Sequence, residues 1–274
     1  MDKLKNKILH IILFLWAVIQ IFPLYYLLTF SLKSNEEILG KNIIGLPQQW
    51  RWVNYVEVFT SSNILRYFLN SMFVTVVVII ITIVVALMAS YALYRMDWKL
   101  KGLFNAIFML GLTIPIHSSV LPVFLILKKL RLLDSYFSLI LPYVAFGLSM
   151  AIVMCGGFMK SIPKELEEAA CIDGCSIYRI FMSVISPLMV PAFSTVAIFT
   201  YLSSWNELML STVFINSDNL RTLPVGIQSI AMSLVADWGV LGAALVISLV
   251  PTMIIYVMMS RKVQESMVVG AVKG

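Results

Sequence analysis

The charged residues of this 274-residue chain are segregated from long apolar stretches. Six windows of 23 to 27 residues contain no Asp, Glu, Lys or Arg. Each window is long enough for a helix to cross a bilayer core, which needs about 20 apolar residues. The windows are Ile8–Phe30, Phe68–Tyr94, Gly102–Leu127, Ser135–Met159, Ile180–Asn206 and Trp238–Ser260. The pattern predicts an all-α membrane protein with six transmembrane helices, and it excludes soluble enzymes and nucleic-acid-binding modules.

Composition and local sequence agree with membrane helices. The chain is 60% hydrophobic and 12% charged, whereas soluble domains are about 25% charged. The second window contains a β-branched run, Val74–Val85, which in water would suggest a strand. In lipid an isolated strand leaves its backbone groups unpaired, so we expect a helix. Prolines in the third and fourth windows, among them Pro115 and Pro142, predict kinked helices.

The basic residues predict how the chain is oriented. Twelve of the 20 Lys and Arg lie in the N-terminal segment, the second and fourth loops and the C-terminal segment. By the positive-inside rule, both termini are therefore expected in the cytoplasm. The short third loop, with Lys128, Lys129 and Arg131, argues the other way but is outnumbered. The net charge of +6 is thus a topology signal, and we expect no nucleic-acid partner.

The chain lacks the motifs of an energy source or a catalytic site. No G-x-x-x-x-G-K-[ST] phosphate-binding loop occurs, and no charged residue lies in the middle of a window. Glu207, at the end of the fifth window, is interpreted as a helix cap or an interfacial residue. The three cysteines are interpreted as small packing residues, without a disulfide or a metal site. We therefore predict a transport subunit that is not an enzyme and holds no cofactor or metal.

One charged loop, 160–179, has the pattern of a short helix lying on the membrane surface. Its first turn contains Pro163 and glutamates, which suit the positive end of a helix dipole. Gly174 is suited to end this helix, and Ser176 to cap a second one. Lipid-binding helices favour bulky apolar and basic residues, so we favour protein docking over a linker lying on lipid. A narrow face of mostly small side chains follows helical spacing, with Leu166, Ala169, Ala170 and Asp173.

This loop also resembles a known family. Glu168-Ala169-Ala170, then Gly174, then Val184 and Pro187 are similar to the signature loop of binding-protein-dependent ABC importer permeases. That signature reads E-A-A, three residues, G, nine residues, I-x-L-P. Val184 and Ser186 replace the usual Ile and Leu.

Other stretches resemble the carbohydrate-uptake branch of that family, and within it the smaller six-span permease of the maltose or multiple-sugar type. They are Ser31-Leu32-Lys33, Asn54-Tyr55, Asn70-Ser71, Ser90-Tyr91-Ala92-Leu93, Leu141-Pro142-Tyr143, Trp205-Asn206-Glu207 and Gly270-Ala271-Val272-Lys273-Gly274.

The resemblance implies the type I ABC importer permease fold and a multi-pass protein of a prokaryotic cell membrane. Its implied partners are membrane lipid, a second permease subunit, two ATP-binding subunits that hold the ATP, and an external solute-binding protein. It divides the chain into a first helix with an outer segment (1–67), a permease core (68–260) and a cytoplasmic tail (261–274). The outer segment Glu207–Asp237 would meet the binding protein. The ATPases would couple through Leu166, Glu168, Ala169, Ala170, Asp173 and Gly174.

Polar residues in otherwise apolar windows are candidates for the translocation pathway. Each hydroxyl has an alternative role, which is to bond within its own helix or to a neighbouring helix. Alternative functions are a permease for a non-sugar substrate and an ion-coupled carrier. The candidate pathway residues are Ser118, Ser119, Thr195, Thr200, Ser203, Ser204 and Asn206.

Overall fold

A computed structural model describes residues 2–40, 42–233 and 237–271, and these ranges are helical without any β-strand. Short 3-10 turns at His117–Ser119 and Asp218–Leu220, and a π-helical turn at Phe181–Ile185, join some of the helices. The α-helices are α1 (Asp2–Phe30), α2 (Asn35–Leu39), α3 (Val53–Ser61), α4 (Ile64–Tyr94), α5 (Lys101–Gly111), α6 (Val120–Lys129), α7 (Phe137–Ser161), α8 (Glu165–Ile172), α9 (Ile177–Ile180), α10 (Ser186–Leu188), α11 (Val190–Trp205), α12 (Met209–Phe214), α13 (Leu223–Ala231) and α14 (Trp238–Ala271).

Four helices in the described part of the chain are long and apolar enough to cross a membrane. They are α1, α4, α7 and α14, and they match the first, second, fourth and sixth predicted windows. The β-branched run lies within the 31-residue helix α4, as predicted. A bent pair, Ile177–Leu188 with Val190–Trp205, passes the same test when its two parts are taken together, as a broken span or a re-entrant loop, and counts as a fifth span in the first case. The protein is therefore a multi-pass, all-helical membrane protein.

The third and fifth windows differ from simple transmembrane helices. The third is divided into α5, with 11 residues, and α6, with 10. Pro115 lies in the break, where its missing N–H and its ring oppose a continuous helix. In the fifth window the helix axis turns by 70° at Met189. Pro191 occupies the first turn of α11 beyond this bend, a position where proline is tolerated.

The chain divides into two compact units, and the first comprises Met1–Arg66 and Gly226–Pro251. At the end of α1, the side-chain amide of Asn54 donates to the carbonyls of Ser31 (2.8 Å) and Lys33 (3.0 Å). Gly239 in α14 lies so close to Asn54 that a Cβ atom there would collide with its amide. These contacts fix how α1, α3 and α14 pack within this unit.

The second unit comprises Tyr67–Val225 and Thr252–Gly274, and it contains two apolar clusters. One cluster, here called the Met159 cluster, packs the C-terminal half of α7 against α4 and the bent pair. The other, the Leu139 cluster, packs the N-terminal half of α7 against α4, α6 and α12. The two ends of α7 therefore carry separate cores.

The predicted tail 261–274 continues the last helix. Helix α14 extends through Ala271, so the described part of the tail follows the apolar part without a break. Residues 272–274, including Lys273, lie outside the described residues.

Candidate functional site

The loop 160–179 folds into two short helices joined by a glycine turn. Helix α8 begins at Glu165, so Pro163 precedes it instead of lying in its first turn. It is followed by Gly174, whose φ of +78° is strained for residues with a side chain. The Ser176 hydroxyl accepts a hydrogen bond from the Arg179 N–H at 3.4 Å and caps α9. The predicted order of helix, glycine turn, cap and second helix is confirmed.

The predicted small-residue face of α8 is divided by the fold. Leu166, Ala169 and Asp173 are exposed, together with Glu168 and Gly174, but Ala170 is half-buried against the Met159 cluster. Two large apolar residues that were not among the predicted coupling residues extend the exposed surface. Ile172 is 87% exposed and Tyr178 is 80% exposed. The free surface is therefore one exposed alanine flanked by large apolar side chains.

The three cysteines are free. Cys155 is buried and Cys175 packs against the Met159 cluster, as expected of packing residues. Cys171 is exposed on α8, so its assignment as a packing residue is wrong. Its position follows from α8 turning only one face toward the core.

Helix α8 is anchored to the long helices through Glu167. One carboxylate oxygen lies 3.1 Å from Nε of Arg95, and the other accepts a hydrogen bond from the Tyr91 hydroxyl at 3.2 Å. Arg95 follows the last turn of α4. In the sequence, Glu167 is one of the glutamates expected at the positive end of the helix dipole, and Arg95 is one of the basic residues of the second loop that indicate the orientation. The pair joins residues far apart in sequence, so no local spacing indicates it.

A cavity of about 210 Å³ lies between α7 and α11. Its walls combine aromatic and aliphatic side chains, among them Tyr143, Phe146 and Phe199, with a few polar groups. Small-molecule sites in proteins have this mixture of apolar walls and few polar groups. The predicted pathway residues that line the cavity are Thr200, Ser203 and Ser204.

The other four predicted pathway residues do not line this cavity. Ser118 and Ser119 lie in the 3-10 turn before α6. Ser119 and Thr195 donate to the carbonyls of Pro115 (3.2 Å) and Pro191 (3.3 Å), and the Asn206 amide donates to its own helix at Leu202 (2.9 Å). For these three residues the structure favours the alternative role of bonding within their own segment. The cavity residue Ser203 also does so, to Thr200 at 3.0 Å.

Glu207 lines the cavity, and its carboxylate accepts three hydrogen bonds. Its carboxylate accepts a hydrogen bond from the Tyr143 hydroxyl at 2.6 Å. It also accepts from the backbone N–H groups of Leu210 (2.8 Å) and Ser211 (3.2 Å), at the start of α12. The prediction that Glu207 caps a helix is confirmed. Its hydrogen bond to Tyr143 was not foreseen.

The segment after α12 is held against other parts of the same unit by side-chain hydrogen bonds. The Asn70 amide donates to the carbonyls of Asn219 (2.9 Å) and Arg221 (2.8 Å). Asp134 accepts from the N–H groups of Asn216 (3.0 Å) and Ser217 (2.8 Å) and from the Ser217 hydroxyl (2.5 Å). The hydroxyl and the N–H of Ser217 lower the pKa of Asp134 from its ordinary value.

Several stretches that carry the family resemblance meet one another in space. The Ser31 and Tyr55 hydroxyls lie 2.8 Å apart. Tyr143 of the Leu-Pro-Tyr stretch bonds Glu207 of the Trp-Asn-Glu stretch. Tyr91 bonds Glu167, next to the signature residues. These stretches are therefore structural junctions as well as sequence markers.

Comparison with known proteins agrees with the resemblance. Residues 83–269 match the family described as "Binding-protein-dependent transport system inner membrane component". The chain is 35% identical to the probable ABC transporter permease protein YurM of Bacillus subtilis, over 96% of this chain and 87% of that protein. It is also 35% identical to the diacetylchitobiose uptake system permease protein NgcG of Streptomyces coelicolor, over 98% of this chain and 89% of that protein.

A solved structure shares the fold. One chain of a bacterial ABC transporter involved in the import of the acidic polysaccharide alginate superposes with a TM-score of 0.85. The match covers 95% of this chain and 96% of that chain at 22% sequence identity. The predicted type I importer permease fold is confirmed. The chain belongs to the inner-membrane permease components of binding-protein-dependent ABC transport systems.

Proposed function

We propose that this protein is a transmembrane permease subunit of an ATP-driven importer for a sugar or oligosaccharide. The observation that carries the proposal is its 35% identity, over 98% of its length, to a permease for diacetylchitobiose uptake. With a second permease it forms the pathway, and an external binding protein delivers the sugar to the pair. The division into 1–67, a core 68–260 and a tail 261–274 belongs to this proposal.

The energy comes from two ATP-binding subunits that dock on the signature loops of the two permeases, and in this chain the docking element is helix α8. The exposed residues Leu166, Ala169 and Ile172 support this step because they offer a close-approach surface with apolar flanks. Glu168 and Asp173 are exposed beside it and are available to basic groups of the partner. This chain needs no nucleotide of its own, because the partner subunits bind the ATP.

The cavity between α7 and α11 forms this subunit's share of the pathway. Its aromatic walls suit the apolar faces of sugar rings, and Thr200, Ser203 and Ser204 suit their hydroxyls. A partner permease closes the remaining side. The cavity is small, so it holds at most part of an oligosaccharide.

The chain crosses the membrane six times, with both termini and α8 in the cytoplasm. The distribution of Lys and Arg supports this orientation, and α5 and α6 together make the third crossing. In a cysteine-free background, Trp50→Cys and Arg221→Cys should react with an impermeant maleimide in intact cells. Lys5→Cys, Glu168→Cys and Lys273→Cys should react only after the membrane is opened. Labelling at position 168 in intact cells would contradict the topology.

Reconstitution tests the energy source and the substrate class. Liposomes containing the two permeases, the ATPases and the binding protein should accumulate a sugar that thermally stabilises the binding protein, and only with ATP. Liposomes without the ATPases should accumulate none. Uptake driven by a proton or sodium gradient alone would favour an ion-coupled carrier. Stabilisation of the binding protein by amino acids, peptides or anions, and by no sugar, would favour a non-sugar permease.

A further inference from the structure

Arg95 connects the ends of two long helices. It lies one residue beyond α4, and its Nη2 atom donates to the carbonyls of Met159 (2.7 Å) and Ile162 (2.5 Å) at the end of α7. The last carbonyls of a helix have no partners within it and form its negative pole. The Arg95 side chain is only 5% exposed, so this guanidinium is a buried cap on α7.

The same guanidinium holds α8. Its Nε atom lies 3.1 Å from the carboxylate of Glu167, whose side chain is 17% exposed. The second oxygen of that carboxylate accepts from Tyr91, one turn earlier on α4. The Tyr91 ring lies 5.1 Å from the ring of Phe181 in the π-helical turn. Three side chains thus connect α4, α7, α8 and the bent pair.

Helix α8 depends on such contacts for its position. It has eight residues, and helices this short are marginal without tertiary packing. Glu165 and Glu168 are exposed, whereas Glu167 is turned inward and half-buried. Ala170 supplies a small apolar contact beside it. The carboxylate of Glu167 is therefore the polar attachment between α8 and the long helices.

We propose that Arg95, Glu167 and Tyr91 form a joint that makes α8 move as one body with the cytoplasmic ends of α4 and α7. The proposal rests on the proposed function, in which ATPase subunits dock on α8. Arg95 and Glu167 are then positioning residues. They convert displacement of α8 by the ATPase into displacement of the helices that bound the pathway. When these contacts are removed, the ATPase stays bound and hydrolyses ATP, but its movement no longer displaces the helices that bound the pathway.

The joint predicts a specific defect in transport stoichiometry. Purified complexes carrying Glu167→Gln, Arg95→Gln or Tyr91→Phe are reconstituted with ATPase and binding protein, and sugar moved per ATP hydrolysed is measured. In the Gln variants this ratio should fall by about fivefold or more, the range of typical coupling between sites. Tyr91→Phe, which keeps the ion pair, should give a smaller decrease. The ATPase should still co-purify at the wild-type level.

The exposed ion pair between Lys101 and Asp97, 3.2 Å apart, provides a matched control near the same junction. Lys101→Gln and Asp97→Asn should leave the ratio unchanged. The double variant of Arg95→Gln and Glu167→Gln should be no worse than Arg95→Gln alone, because that variant already removes the ion pair together with the cap on α7. If Arg95→Gln does not accumulate, the near-isosteric Glu167→Gln decides.

An unchanged ratio in Glu167→Gln, with normal ATPase binding, would overturn the joint. A purely structural role of Glu167 would also leave the ratio unchanged, because it would lower the amount of complex but not the sugar moved per ATP by the complex that remains. Failure of the proposed function looks different, because the wild-type chain would then bind no ATPase and show no ATP-driven uptake.

Discussion

The two ends of α7 are built differently. At its N-terminal end, Tyr143 bonds Glu207 at the wall of the cavity, and the Asn70 amide bonds the backbone at Arg221, so polar groups are paired within the chain. At its C-terminal end, α8 is held through Glu167 and exposes Leu166 and Ala169. The first end, here called the closed end, is held by contacts within the chain. The second end, here called the open end, presents a surface that another protein can cover.

The difference follows from where backbone groups find partners. The segment between α11 and α13 changes direction repeatedly beside apolar helices. Its N–H groups therefore need side-chain acceptors such as Glu207 and Asp134, and its C=O groups need a donor such as the Asn70 amide. The loop at the other end satisfies most of its backbone within α8, α9 and their glycine turn. Its outward side chains therefore remain available for a partner.

Blocking the exposed face of α8 should produce the largest effect. Ala169→Arg places a charged side chain where a partner surface must approach, and an unpaired buried charge costs several kcal/mol. We expect ATP-driven uptake to fall to background, with normal abundance in the membrane and with the ATPase detached. Ala169→Ser, which adds one oxygen, should retain uptake. Full uptake by Ala169→Arg with the ATPase bound would show that α8 is only a linker, and that the open end offers no docking surface there.

Removing the Glu207 contacts at the closed end should lower the stability of the complex without preventing the ATPase from docking. Glu207→Ala removes an acceptor of three hydrogen bonds and leaves Tyr143 without that partner, at a cost of about 3 kcal/mol. We expect a lower thermal midpoint of the purified complex and a distorted cavity, while the ATPase still binds. Asn206→Ala, which removes an exposed amide bonded to its own helix, is the control. Equal midpoints for Glu207→Ala and wild type would show that the end is not held by this carboxylate.

A side chain added at Gly174 would strain the backbone of this turn at the open end without colliding with neighbouring atoms. At φ +78°, a Cβ atom added to Gly174 would meet no other atom within 4 Å, so Gly174→Val costs about 1–2 kcal/mol through the backbone alone. Uptake should be reduced at normal abundance, because the strained turn changes how α8 is held against the long helices. Gly102→Val, at a helical glycine with equally open surroundings, should have little effect. A similar loss in both variants would contradict a role for the positive φ.

Acid should loosen the closed end slightly. The folded-state pKa of Asp134 is lowered by Ser217, so its contribution to stability is present above the unfolded value of about 3.9. That contribution is lost as pH falls below this value through the folded pKa. The difference in thermal midpoint between wild type and Asp134→Asn should therefore shrink as pH is lowered from about 5 to about 3. A difference that is constant over this range would contradict the ionised contact.

The sequence by itself determined the features that depend on local pattern. Charge-free windows specify which segments are apolar enough for lipid, and α1, α4, α7 and α14 lie where those windows predict. The turn at Gly174 and the cap at Ser176 were also predictable. A positive φ and an N-cap hydroxyl are requirements of single positions, and suitable residue types meet them.

Only the tertiary structure decided which of these residues meet. Thr195 and Thr200 lie on the same helix, yet only Thr200 lines the cavity, because the rotation of α11 against α7 is set by packing. Ala169 and Ala170 are neighbours, yet one is exposed and the other packs inward. Tyr91 and Glu167 are separated by 76 residues, and Tyr143 and Glu207 by 64. Side chains this distant are brought together by the packing of whole helices, which periodicity and spacing along the chain do not encode.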